Sequence, residues 1–243
     1  MHRFLVDTAV LECDAPDVPK DVARHLKVLR PEEGELFELF DGRGAWRVYA
    51  HSAGALAAVG AVCREERSEG PALTLFACVT KGSRWDWTVE KAVELGVARI
   101  VPVVSDRTIV RIPQGEREAK RERWTRIAED AARQSDARWV PEVLAPMSFR
   151  ESLALVAETD CFVGALTTPP PRPILAEFAA YRGECAAKKG GVSVFVGPEG
   201  DFTPEELSEL LAIARPVSLG PTVLRAETAA IFAVGAIAAA LQA

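Results

Sequence analysis

Val192-Ser193-Val194-Phe195-Val196 offers almost no polar face and runs straight into Gly197-Pro198-Glu199-Gly200. A strand without an outward polar side has to be covered on both faces, which restricts it to the inside of a layered α/β structure. A helix entry follows the glycines. Thr203 stands in the capping position, Pro204 at the first helical position, and Glu206 completes a capping box. Gly197–Phe202 is therefore a short link between a buried strand and a helix. A second link of this kind lies at Leu219-Gly220-Pro221-Thr222-Val223-Leu224-Arg225-Ala226-Glu227-Thr228-Ala229. Small ligands bind at such strand ends in α/β proteins, and two links close together imply one pocket with two backbone walls.

Apolar segments and helical patterns alternate through this part of the chain. Ala72–Val79, Ile100–Val104, Cys161–Leu166 and Val217–Leu219 read as strands beside Val192–Val196. Trp85–Leu95, residues 116–135, Pro204–Ala214 and Glu227–Leu241 read as helices. The fold class is α/β, with a parallel sheet covered on both faces. The opening of the chain differs. Phe4–Val6, Glu35–Phe40, Trp46–His51 and Ala55–Val62 are strand candidates separated by Asp41-Gly42-Arg43-Gly44 and Ser52-Ala53-Gly54. Between the first two, Pro19–Arg30 puts Val22, Leu26 and Leu29 on one helical face. Short strands so spaced predict a small barrel or sandwich. The polar run Arg64–Pro71 separates the two patterns, giving domains at 1–70 and 71–243.

Composition excludes several classes. At 243 residues, 49% hydrophobic and 26% charged, the chain is an ordinary globular protein with a net charge of −6. Only residues 76–140 are net basic, with 13 Lys+Arg against 10 Asp+Glu. That permits a local nucleic-acid patch. Cysteines 13, 63, 78, 161 and 185 form no Cys-x-x-Cys pair, and His2, His25 and His51 are dispersed. Neither a metal site nor a disulfide framework is expected, which suits the reducing cytoplasm. The start Met1–Asp7 lacks the apolar core of a signal peptide. Thr228–Ala243 carries no charge but is too short to span a bilayer, so a helix buried on all sides is expected, and no membrane partner.

Bare backbone at Gly197 and Gly200 can approach a ligand closely. Glu199 and Asp201 would repel a phosphate, so a neutral or cationic ligand suits this loop better. Alone, Gly-Pro-Glu-Gly also reads as a tight turn. In the second loop a cation at a helix entry is unfavourable, whereas Glu227 in the first turn is favourable. Arg225 therefore needs an anionic partner, either a ligand or Glu227 itself.

At these residues the chain resembles the SPOUT methyltransferases, whose second and third knot motifs are similar to the two loops. Leu219-Gly220 with Val223-Leu224-Arg225 and Glu227-Thr228-Ala229 closely resembles the RsmE family. The similarity continues through His25–Arg30, Lys81, Asp86, Lys91, Glu94–Val97, Ser105-Asp106-Arg107, Trp124, Gln134-Ser135 and Val140-Pro141. Two departures stand out. Asp136 replaces the usual glycine, and Val163–Pro169 lacks an acidic residue that many relatives carry.

The resemblance implies a C-terminal SPOUT domain with a deep trefoil knot and a parallel sheet, plus an N-terminal PUA-like RNA-binding β-barrel. It implies methylation by S-adenosylmethionine of N3 of a specific uridine in 16S ribosomal RNA, by a cytoplasmic homodimer without a metal. Another RNA target, or a non-catalytic ribosome-assembly factor, is the alternative. The cofactor positions so implied are Leu166, Thr167, Gly197, Glu199, Gly200, Leu219, Gly220, Leu224, Thr228 and Ala229. Arg225 is the candidate for stabilising charge on the uracil, with Glu199 and Glu227 as candidate base or orienting groups. His25, Lys27, Arg30, Lys81, Arg84 and Arg107 are candidates for contacting RNA on 16S rRNA or the small ribosomal subunit. Trp85 and Trp87 are expected in the core.

Overall fold

The computed structural model describes residues 1–67, 70–156, 159–184 and 191–242; Cys185 lies outside them. The chain divides into two compact units, Met1–Ser68 with Glu129–Val140, and Glu69–Ala128 with Pro141–Ala243.

The first unit holds strands β1 (His2–Leu5), β2 (Leu36–Phe40), β3 (Ala45–Ser52), β4 (Ala55–Ala58) and β5 (Cys63–Arg64), with helices α1 (Thr8–Leu11) and α2 (Lys20–Leu29). The sheet order is β1-β2-β3-β4, and β5 also pairs with β3. The pair β1–β2 is parallel and the rest are antiparallel. That one parallel pair requires a long crossover, and α1 and α2 supply it. Val22 of α2 is buried against Phe4, Leu11, Phe37, Leu39 and Tyr49, with Leu26 and Leu29 packed beside it. Arg30 ends the helix in the left-handed region at φ 50°. Arg3 is buried, pairs with Glu38 at 2.6 Å, and donates to the carbonyls of Ala132, Arg133 and Ala137. Asp136, in the family's glycine position, lies at φ 58°, a conformation that explains a preference for glycine there.

The second unit contains β6 (Leu73–Cys78), α3 (Ser83–Glu94), β7 (Arg99–Val104), α4 (Arg117–Gln134, in this unit up to Ala128), β8 (Glu142–Val143), β9 (Met147–Ser148), α5 (Phe149–Leu153), β10 (Asp160–Gly164), α6 (Ile174–Glu184), β11 (Val192–Val196), α7 (Pro204–Leu211), β12 (Ala214–Val217) and α8 (Ala226–Gln242). Its strand order is β12-β10-β11-β6-β7, with β8 and then β9 along the outer edge of β7. Every pairing is parallel. All residues of β6 and β11 are buried, as an apolar strand covered on both faces must be. Phe76 and Phe195 stack at 4.4 Å between centroids in the centre. β12 holds Pro216 because it pairs with β10 on one side only, and an edge strand tolerates a missing N–H.

Several sequence expectations change. The strand expected at Val217–Leu219 is Ala214–Val217, which releases Leu219 into the following loop. α1, β8, β9, α5 and α6 were not anticipated. α8 is not buried on all sides: Ala226, Ala229, Ala230, Ala233, Val234 and Ile237 form a single buried stripe, and Phe232 opposite is 45% exposed. A helix without charge need not be fully buried, because alanine is small enough to be tolerated on either face. Trp85 is buried, but Trp87, on the outer side of α3, is 41% exposed and is not a core residue.

Candidate active site

The loops leaving the carboxyl ends of β10, β11 and β12 open on one pocket of about 640 Å³, part of it open to solvent. Its walls include Gly164, Leu166, Gly197, Glu199, Leu219 and Leu224. Two glycines stand at close approaches. A Cβ at Gly164 would stand 2.8 Å from Leu219 Cδ1, and one at Gly197 would stand 3.1 Å from Asp201 Oδ1 and 3.2 Å from the Phe202 ring. Pro198–Asp201 is a turn closed by the Asp201 N–H on the Pro198 carbonyl at 2.9 Å. Asp201 takes φ 57° there, and its carboxylate accepts from the Phe202 N–H at 2.8 Å. The tight-turn reading and the ligand-loop reading are thus compatible.

A buried glutamate fixes this loop from behind. Glu206 Oε2 accepts from the Thr203 N–H at 3.0 Å while Thr203 Oγ1 accepts from the Glu206 N–H at 3.2 Å, forming the expected capping box. The other oxygen, Oε1, accepts from the Asp106 N–H at 2.9 Å. Arg107 adds a second tie, donating through Nη1 to the carbonyls of Gly200 at 2.9 Å and Phe202 at 3.2 Å. Beneath these ties Cys78, Ser105 and Thr108 form a buried cluster, with Cys78 Sγ donating to Ser105 Oγ at 3.4 Å. Burial pushes the Cys78 thiol up to about 12, and the Ser105 and Thr108 hydroxyls offset only part of that.

Of the two partners open to Arg225 in the sequence, an anionic ligand and Glu227, the structure removes the second: Glu227 does not pair with Arg225. Its Oε1 lies 4.0 Å from Arg84 Nε, and Arg84 Nη1 donates to Glu199 Oε1 at 3.4 Å. Arg84 therefore stands between the two carboxylates. Among the described residues Glu227 Oε2 is buried without a hydrogen-bond partner. Arg225 precedes α8, its carbonyl accepting from the Ala229 N–H at 2.8 Å, and its exposed side chain has no ion-pair partner among the described residues.

Of the residues expected around a cofactor, Leu166, Gly197, Glu199, Leu219, Gly220, Leu224 and Ala229 line the pocket, and Thr167, Gly200 and Thr228 do not. Thr167 instead donates to the Pro169 carbonyl at 2.9 Å. Lining residues that sequence reasoning missed include Gly164, Ala165, Ser218, Thr222 and Ala226. The last two fall inside the quoted motif and could have been named. Gly164 and Ala165 carry no local signal, because their role is set by Leu219, far along the chain. His25, Lys27 and Arg30 lie exposed on α2 or at its end, in the first unit; Lys81 lies exposed after β6.

Among the described residues no helix is long and apolar enough to cross a membrane, and no group of three or more His, Cys, Asp or Glu could hold a metal ion. The model of an RNA methyltransferase domain family matches residues 68–238. The ribosomal RNA small subunit methyltransferase E of Synechocystis is 33% identical over 221 residues, 89% of this chain and 70% of that protein. Its namesake from Bacillus subtilis is also 33% identical, over 65% of this chain; the match spans 61% of that relative, less than two thirds of its length. Among solved structures, a putative methyltransferase from Legionella pneumophila with bound SAM superposes with a TM-score of 0.83 at 25% identity, covering 98% of this chain and 97% of that one. The methyltransferase E of Neisseria gonorrhoeae bound to S-adenosyl methionine gives 0.76 at 30% identity, covering 100% and 97%. With an RNA methyltransferase domain across most of its length and a third of the aligned residues identical in the Synechocystis relative, the chain belongs to the ribosomal RNA small subunit methyltransferase E family.

Proposed function

We propose that the chain methylates N3 of a specific uridine in 16S ribosomal RNA, using S-adenosylmethionine. The observation that carries this is the single pocket at the ends of β10, β11 and β12, in a family whose structural relatives hold that molecule. The pocket fits it on two counts. Its walls are largely backbone and aliphatic, and its acidic groups, Glu199 and Asp201, favour a cation over a phosphate. Leu166, Gly197, Glu199, Leu219, Gly220, Leu224 and Ala229 would hold the cofactor. When bound, it supplies a methyl group already activated on a sulfonium, so the protein's contribution is alignment and electrostatics.

Uridine N3 carries a proton and lies on the Watson–Crick edge, so the base has to be unpaired to reach the pocket. Arg225, exposed and unpaired beside the second loop, is suited to offset negative charge growing on the uracil oxygens. Glu227, with one carboxylate oxygen unengaged, or Glu199 takes the N3 proton.

In the same reading residues 1–70 are a PUA-like RNA-binding barrel presenting His25, Lys27 and Arg30, and 71–243 are a SPOUT domain whose β10–β12 region is a deep trefoil knot. The position of β10 between β11 and β12 supports the knot. The enzyme works in the cytoplasm as a homodimer, which would cover apolar side chains left exposed around the pocket and α8, Leu166, Val223 and Phe232 among them. The test is incubation of purified protein and labelled cofactor with small ribosomal subunits lacking the modification. Label at one uridine N3 is expected; cofactor binding with no label at any uridine N3 refutes the assignment.

A further inference from the structure

Arg84 is a basic residue near the pocket, and residues of that kind normally invite assignment to the RNA. Its surroundings argue otherwise. It opens α3, just after β6, and its guanidinium reaches two other segments: Glu199 at 3.4 Å in the loop after β11, and Glu227 at 4.0 Å in the first turn of α8. The side chain of Glu227 is 11% exposed and that of Glu199 30%, so neither carboxylate is freely solvated. Two carboxylates brought to one place by different loops repel each other unless a cation lies between them. A guanidinium is suited to this because its donors point in several directions from one rigid plane. Nε faces Glu227 and Nη1 faces Glu199. With Oε1 of Glu227 turned to Arg84, Oε2 is left buried with no hydrogen-bond partner among the described residues, which leaves its acceptor capacity for a donor outside the chain.

We propose that Arg84 is a positioning residue of the methyl-transfer site: by holding Glu199 it sets the pocket wall, and by engaging Oε1 of Glu227 it leaves Oε2 to accept a hydrogen bond in the methyl-transfer complex. This rests on the pocket being the S-adenosylmethionine site. Arg84 acts through the two glutamates, and its role differs from that of Arg225, which has no carboxylate partner among the described residues.

The test combines a binding cycle with kinetics, on the full-length protein. Calorimetry with S-adenosylmethionine alone is applied to the wild type, Arg84→Ala, Glu199→Gln and the double variant. Arg84→Ala is expected to weaken binding about fivefold, with the double variant no weaker than the worse single one, because coupled residues are non-additive. In methyl transfer Arg84→Ala is expected to lower kcat at least tenfold with KM for the RNA within about twofold. Arg84→Lys, which keeps the charge but not the fork, should recover part of kcat and also guards against misfolding of the alanine variant. The slope of log affinity for RNA against log salt should be unchanged, whereas loss of a phosphate contact would reduce it by about 0.7 on single-stranded RNA. A reduced slope with raised KM and unchanged kcat overturns the proposal, as does strict additivity in the cofactor cycle. If the wild type binds cofactor but methylates nothing, the assigned function fails, while the calorimetric cycle still decides Arg84.

Discussion

Replacing Glu206 by alanine removes the acceptor for two backbone N–H groups at once, Thr203 at 3.0 Å and Asp106 at 2.9 Å, from a side chain only 5% exposed. Hydrogen bonds to charged groups contribute about 1.5–3 kcal/mol each, and a lost helix cap costs about 1 kcal/mol. Both bonds are only part-buried, so water recovers some of each, and a total near 3 kcal/mol is expected. At roughly 2–4 °C per kcal/mol for a chain of this size, Tm should fall by about 6–12 °C. Glu206→Gln keeps one accepting oxygen and should cost about half as much. Because two units need not unfold together, the local readout is amide hydrogen exchange. Protection at Asp106 and Thr203 should drop selectively, and S-adenosylmethionine affinity should weaken because the Gly197–Phe202 loop loses its rear support. The reasoning is refuted if Glu206→Ala loses less than about 1 kcal/mol, or if glutamine and alanine behave alike.

Three further outcomes are expected. Gly164→Ala pushes a methyl to 2.8 Å from Leu219 Cδ1; since that is a side-chain tip, stability should fall by only about 1 kcal/mol, but Leu219 must turn in the pocket wall, and calorimetry should show cofactor binding weakened. Arg225→Ala should lower methyl transfer by about 100-fold, the scale of a lost charge-stabilising donor, with cofactor affinity within about twofold; collapse of binding would make Arg225 a cofactor contact. In native protein at pH 8, a thiol reagent should label exposed Cys13 and Cys63 but spare Cys78 and Cys161, whose thiols burial raises to about 12. Those raised values also favour folding below about pH 9, the ordinary thiol value, and that contribution should be lost as pH rises from 9 towards 12.

Local chemistry was legible wherever one segment carries its own signal. β11 coincides with the expected strand, and α7 starts on the capping box written in Thr203, Pro204 and Glu206. α5 starts on a similar box, Ser148 with Glu151, so its omission was a missed signal, not a missing one. β8 and β9 are another matter. They are two residues each and exist because β7 offers an edge on either side of Pro102, which has no N–H to give, so the outer partner is split. α6 buries Ile174, Phe178 and Tyr181 at i, i+4 and i+7, but the exposed Leu175, Ala176 and Ala179 blur that stripe in the sequence.

The sequence by itself determined that buried strands alternate with helices, that two loops are built for close backbone approach, and, through its motifs, the family. Hydrophobic period, caps and glycines act over a few residues, and so they survive in one dimension. Tertiary structure alone decided that β10 lies between β11 and β12, that Gly164 makes room for Leu219, and that Glu227 faces Arg84 and not Arg225 two positions away. Neighbours on a helix entry share a locality in sequence but point in different directions, and the cation that meets a carboxylate is chosen by which strands the sheet brings side by side.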